Sequence, residues 1–130
     1  MNEKYLIAQE GVKLFIQDGK PAGYEFGARV PYYFSIPFSQ IKHIRVTMDG
    51  TEEHQENIRI FAESGEMFKL SEIITVSDYH WEYGKKLRIC VLREGGLAKG
   101  SHRLELDTAI AVIYGGPRGF GSRAYLDFTI

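Results

Sequence analysis

The stretch Ser101-His102-Arg103-Leu104-Glu105-Leu106-Asp107-Thr108-Ala109-Ile110-Ala111-Val112-Ile113-Tyr114 decides the fold. Leu104, Leu106, Thr108, Ile110, Val112 and Tyr114 recur at every second position, the period of a pleated strand with one face on a core. The opposite face begins charged with Arg103, Glu105 and Asp107, then turns apolar at Ala109, Ala111 and Ile113. A strand patterned this way leaves solvent halfway along and enters an interface. The same period runs through the rest of the chain. Val12, Leu14 and Ile16 alternate with Lys13 and Gln17, and Tyr24, Phe26, Ala28 and Val30 with Glu25 and Arg29. Ile44, Val46 and Met48 alternate with His43, Arg45 and Thr47. Ile58 and Ile60, residues 66–70, the row Leu87, Ile89 and Val91, and the row Ala124, Leu126, Phe128 and Ile130 complete the set. Asp18-Gly19, Asp49-Gly50, Ser64-Gly65 and Gly95-Gly96 stand between these runs as turn signals. The pattern predicts an all-β fold, an antiparallel β-sandwich of about eight strands. Residues 71–79 predict at most one helical turn, capped by Ser71, because Thr75 and Val76 disfavour its extension.

Composition agrees and narrows the function. The chain has 130 residues, is 13% aromatic and has 14 glycines, which suits stiff strands with many turns. Its length predicts one domain, 1–130, that buries roughly two-thirds of its unfolded surface. Sixteen Lys+Arg against 17 Asp+Glu leave a net charge of −1. The bases are scattered, which argues against nucleic acid as a partner. No apolar run approaches the ~18 residues of a membrane span. No secretory pattern opens the chain, since Leu6-Ile7-Ala8 is too short for an h-region. The lone Cys90 lies in an apolar run and reads as a small buried hydrophobe in a reducing, cytoplasmic setting.

Motifs of catalysis are scarce. The four histidines, His43, His54, His80 and His102, show no metal-ligand spacing, and the chain is expected to hold no metal of its own. No nucleophile elbow or P-loop is present. Gly115-Gly116-Pro117-Arg118-Gly119-Phe120-Gly121 reads first as a hairpin loop. It reads next as a loop presenting Arg118 and Phe120 to a partner, and last as an anion cradle. Asp78-Tyr79-His80-Trp81-Glu82-Tyr83-Gly84 offers Trp81 and Tyr83 as an aromatic platform for a ring, against a plainer reading with Trp81 plugging the core. The most distinctive stretch is Val30-Pro31-Tyr32-Tyr33-Phe34-Ser35-Ile36-Pro37-Phe38-Ser39. Three consecutive aromatics between prolines break the strand period and predict a rigid extended loop. Tyr32, Tyr33 and Phe34 then form a contact surface for substrate or partner, unless the loop folds back over the sandwich end.

Taken in order, several of these pieces resemble one family. They are Pro31-Tyr32-Tyr33 running to Pro37-Phe38-Ser39, the strand into Asp49-Gly50, and Trp81 with Tyr83-Gly84. The last is Gly95-Gly96-Leu97-Ala98-Lys99-Gly100-Ser101-His102 ahead of the long strand. From about Val12 onward the chain is similar to the small β subunits of bacterial C-glycoside deglycosidases. That resemblance implies a non-catalytic β-sandwich subunit paired with a larger α subunit, a sugar-isomerase-like (β/α) barrel. It implies that the complex cleaves the C–C bond between a 3-oxo sugar and a flavonoid-type aglycone. In that chemistry the 3-keto group acidifies C2–H, a base removes the proton, and the enolate expels the aglycone carbon. The resemblance places a divalent metal, with Mn²⁺ the expected ion, in the larger subunit, and a 3-oxo-C-glycoside at the interface. Phe34-Ser35 departs from the family pattern, where a basic residue and a glycine often follow the paired tyrosines. The alternative is a free-standing β-sandwich carbohydrate-binding module, and a self-contained hydrolase ranks last for want of a nucleophile–base pair.

Overall fold

A computed structural model describes residues 2–31, 34–111 and 119–130. Eleven strands occur among the described residues: β1 (Lys13–Gln17), β2 (Lys20–Arg29), β3 (Ile36–Pro37), β4 (Ile41–Met48), β5 (Thr51–Glu52), β6 (Ile58–Phe61), β7 (Met67–Lys69), β8 (His80–Trp81), β9 (Lys86–Leu92), β10 (Ser101–Ile110) and β11 (Phe120–Thr129). One sheet has the order β1-β2-β9-β6-β7, a second β11-β10-β4-β5, and β3 pairs with β8 alone. Every pairing is antiparallel. The all-β expectation holds, and the sheets pack as in a β-sandwich. Each of the eight expected strands is present, and the additions β3, β5 and β8 are two residues long, too short to display a period.

The core lies where the alternation put it. Leu104 and Leu106 of β10, Ile44 and Val46 of β4, Tyr24 and Phe26 of β2, and Ile89 and Val91 of β9 are all buried. On β10 the charged residues Arg103 and Glu105 are exposed, whereas Ala109, further along the same face, is 2% exposed. The change from charged to apolar is therefore real, and the described strand ends at Ile110. Residues 112–114 of the expected strand lie outside the described residues. Thr108 shares the inner face, and its hydroxyl finds no hydrogen-bond partner among the described residues.

Two local expectations are corrected. In β1 the register shifts between Phe15, opposite Gly23, and Ile16, opposite Pro21. The irregularity changes which side chains face inward, so Ile16 is 53% exposed. Phe15 instead lies 6.4 Å from the Phe61 ring, with the Arg88 guanidinium 4.0 Å over Phe61. The single helical turn is a 3₁₀ helix over Leu70–Thr75, and Ser71 does not cap it. The Lys69 N–H donates to the Glu72 carboxylate at 2.7 Å. An acid at that place can reach back to the first free amide, which Ser71, already inside the turn, does not.

Candidate functional site

Four short segments meet at one end of the sandwich. The β2 strand runs into Arg29, Val30 and Pro31, where proline, lacking an N–H, ends the ladder. The β3–β8 pair sits alongside, with Ile36 opposite Trp81. Just past β8 the backbone turns, the Lys85 N–H donating to the Glu82 carbonyl at 3.2 Å with Gly84 at φ +84°. Tyr83 is carried outward there, and its N–H donates to Ser35 Oγ at 2.9 Å, stapling the Phe34-Ser35 segment to it. From the other sheet, β11 contributes Phe120, directly opposite Ile110 of β10. The N-terminal 3₁₀ turn over Lys4–Leu6 contributes Tyr5. Arg29 Nη1 donates to the Tyr5 carbonyl at 3.3 Å and joins the turn to β2.

The result is a cleft of about 490 Å³ lined by Tyr5, Arg29, Val30, Pro31, Tyr83, Gly84 and Phe120. Its walls are mostly apolar. Tyr5 is 55% exposed, Tyr83 62% and Phe120 41%, while Phe34, beside the Ser35 staple, is 68% exposed. Such a gathering of large rings on a small domain makes this end the candidate contact surface. Beneath it Trp81 is 1% exposed, and its indole N–H donates to the Ala28 carbonyl at 3.0 Å. Trp81 is a core plug and presents no ring face to solvent, so the aromatic platform loses one of its two members. Tyr83 and Phe120, 37 positions apart in sequence, are brought to the same cleft. Tyr32, Tyr33 and Arg118 lie outside the described residues.

A larger hollow of about 700 Å³ lies over the outer face of the four-stranded sheet, among Arg45, Glu52, Glu105, Asp107, Arg123 and Tyr125. Several of its charges are satisfied within the chain. Asp107 lies 2.8 Å from His43 Nε2 and 2.8 Å from Arg123 Nε, and Arg103 stacks 4.5 Å over the Tyr125 ring. Solvated, internally paired charges of this kind favour water over a ligand. No group of three or more His, Cys, Asp or Glu that could hold a metal ion occurs among the described residues. The side chains of this hollow do not form a donor set for a divalent ion. The Cys90 thiol is pushed up to about 12, first by burial and then by the Glu25 carboxylate, so it is protonated at neutral pH and no nucleophile.

Tyr5 and Arg29 are the lining residues that sequence reasoning missed. Tyr5 precedes the first periodic run, and Arg29 reads merely as the polar side of β2. The proline after Val30 was the available signal, since it shows that β2 stops where Arg29 stands.

A family model described as C-glycoside deglycosidase beta subunit matches residues 2–114. The chain belongs to that family. A C-glycoside deglycosidase beta subunit from Eubacterium cellulosolvens is 29% identical over 104 residues, covering 79% of this chain and 70% of the relative. In this beta subunit, Tyr5, Arg29, Pro31 and Tyr83 fall inside the matched span, whereas Phe120 follows it. A beta subunit implies an alpha subunit.

Proposed function

We propose that this beta subunit docks through its aromatic end onto a larger, sugar-isomerase-like (β/α) barrel subunit and shapes the mouth of that subunit's active site. The observation that carries the reading is the convergence of Tyr5, Tyr83 and Phe120, with Phe34 adjacent, on one apolar cleft. The reaction supported by family membership is cleavage of the C–C bond joining a 3-oxo sugar to an aromatic aglycone. A base on the larger subunit takes the C2 proton, the electrons pass toward the 3-keto oxygen, and the C1–aglycone bond breaks as C1=C2 forms. The aglycone carbon leaves with the bonding pair and is protonated. This chain supplies neither the base nor a metal in that scheme, and the expected divalent ion is assigned to the larger subunit. Its part is to exclude water and to hold the aglycone end of the cleft, for which apolar walls are suited.

Co-purification tests the reading. Tyr83→Ser with Phe120→Ser should abolish co-elution with the larger subunit and reduce cleavage of a 3-oxo-C-glycoside at least about tenfold. The melting temperature of the chain itself should hold, because both side chains are exposed. Ile16→Ser and Ile74→Ser, at exposed apolar positions elsewhere, are the controls. If the controls weaken assembly as much as the cleft pair, or the cleft pair leaves it intact, the docking end lies elsewhere.

A further inference from the structure

The cleft is apolar but not neutral. Among the described residues that line it, Arg29 carries the one formal charge. Its guanidinium has five N–H donors, and its hydrogen bond within the described chain is the single one to the Tyr5 carbonyl. No carboxylate among the described residues lies within ion-pair distance of it. Glu10 feels its field weakly, but that carboxylate is held in direct contact by Lys86. Most acids at this end are similarly occupied: Glu82 and Glu63 by Lys85, at 2.9 and 2.6 Å, and Glu3 by Ser122 and Tyr5. Arg29 is thus a half-buried cation, fixed at the rim of a cleft that docking would dehydrate, with most of its donors uncommitted among the described residues.

A cation enclosed in this way is stabilised only if the incoming surface returns the hydrogen bonds that water gave up. The planar fork of a guanidinium is matched by a carboxylate, which takes two parallel N–H donors at once. We infer that the segment of the larger subunit seated in this cleft carries an apolar or aromatic anchor beside a carboxylate that pairs with Arg29. The inference rests on the docking end proposed above and adds to it the chemistry of the partner's contact. It also makes Arg29 the residue that selects among partners, because an apolar anchor alone would fit many surfaces.

The test is a titration of the full chain with the larger subunit, reading Kd and its salt dependence for Arg29→Met, Arg29→Lys and Arg29→Glu. Arg29→Glu should weaken binding at least about thirtyfold, the effect of opposing like charges at a dehydrated pair. Arg29→Met should weaken it less and flatten the rise of Kd with salt, and Arg29→Lys should retain the salt slope with part of the affinity. Wild-type affinity and slope in all three variants, with Tyr83→Ser still disruptive, would overturn the carboxylate while leaving the docking end. If Tyr83→Ser is silent as well, both fall together. Self-association of the isolated chain through this end, lost in Arg29→Glu, would overturn the choice of partner. Should Arg29→Glu fail to fold, the Met and Lys variants and the salt slope decide.

Discussion

His102 serves two acceptors, with Nδ1 2.6 Å from Asp49 Oδ2 and Nε2 2.6 Å from the Ala98 carbonyl. A neutral imidazole has a single N–H, so one contact would set lone pair against lone pair; the arrangement selects the imidazolium. The Asp49 hydrogen bond first, and the Ala98 carbonyl second, raise the His102 pKa above its ordinary 6.5. The His102 contact, followed by the Arg103 N–H, lowers Asp49 below 3.8. The stabilisation from a raised histidine is complete below 6.5 and lost as pH climbs through the raised value. That from a lowered carboxylate is complete above 3.8 and lost as pH falls through the lowered value. This clamp between the Asp49-Gly50 turn and the loop before β10 is therefore fully closed on the mildly acidic side of neutrality. Melting temperatures of wild type and His102→Gln, measured from acid to alkaline pH, should lie furthest apart between pH 3.8 and 6.5 and converge as pH climbs through the raised histidine value or falls through the lowered carboxylate value. A gap independent of pH would mean that the ring acts by packing on Phe128, 5.6 Å away, and not by its charge.

Among the elements, the β10–β11 hairpin positions the cleft, and one glycine governs its geometry. Gly119 has φ +73°, and a Cβ there would stand 2.3 Å from the Ile110 carbonyl oxygen and 2.6 Å from the Lys42 side chain. Gly119→Ala should cost about 1–3 kcal/mol and swing Phe120 away from Tyr5 and Tyr83. Gly65→Ala is the comparison, since Gly65 has φ +89° with open space around it and incurs conformational strain alone. Denaturant titration separates them: equal losses would show that close approach to Ile110 does not matter. The far edge of β11 is sealed by residues before β1, with the Glu3 N–H donating to the Arg123 carbonyl at 2.9 Å and the Tyr125 N–H to Asn2 Oδ1 at 2.9 Å. That seal brings Tyr5 to the cleft, and no local pattern announces it. Long strands such as β4, β9 and β10 were legible because five or more alternating positions fix a period and a face. The β1 irregularity was not, because one shifted residue leaves the composition of the run unchanged. At the site, Trp81 and Tyr83 stand two positions apart yet part company, since β8 ends between them and the period ends with it. Arg29 was visible as a polar residue, but its meaning depends on Tyr5 and Phe120, which the fold brings from opposite ends of the chain.

At the level of the whole molecule, a net charge of −1 and an isoelectric point near 6.4 leave little repulsion between copies. The exposed rings of the cleft end then have nothing to keep them apart near that pH. The isolated chain should be least soluble around pH 6.4, within the range where the His102 clamp is most stabilising. Saturation concentration measured across pH should show that minimum, and Phe34→Ser with Tyr83→Ser should make it shallower. A minimum unchanged by those substitutions would place the sticky surface elsewhere. Strand order carries a further consequence, in time. Gly23 pairs with Leu92, and Ile44 with Thr108, so β2 and β4 find their central neighbours more than sixty residues later in the chain. During synthesis, β2 can pair with β1 and β4 with β5, but their other edges must wait bare until β9 and β10 have left the ribosome, the regime in which chaperones and neighbouring chains compete for unpaired strands. The aromatic end matures last of all, because Phe120 arrives with β11. A partner selecting that end would thus meet only subunits whose sheets are already complete, making assembly its own check on folding.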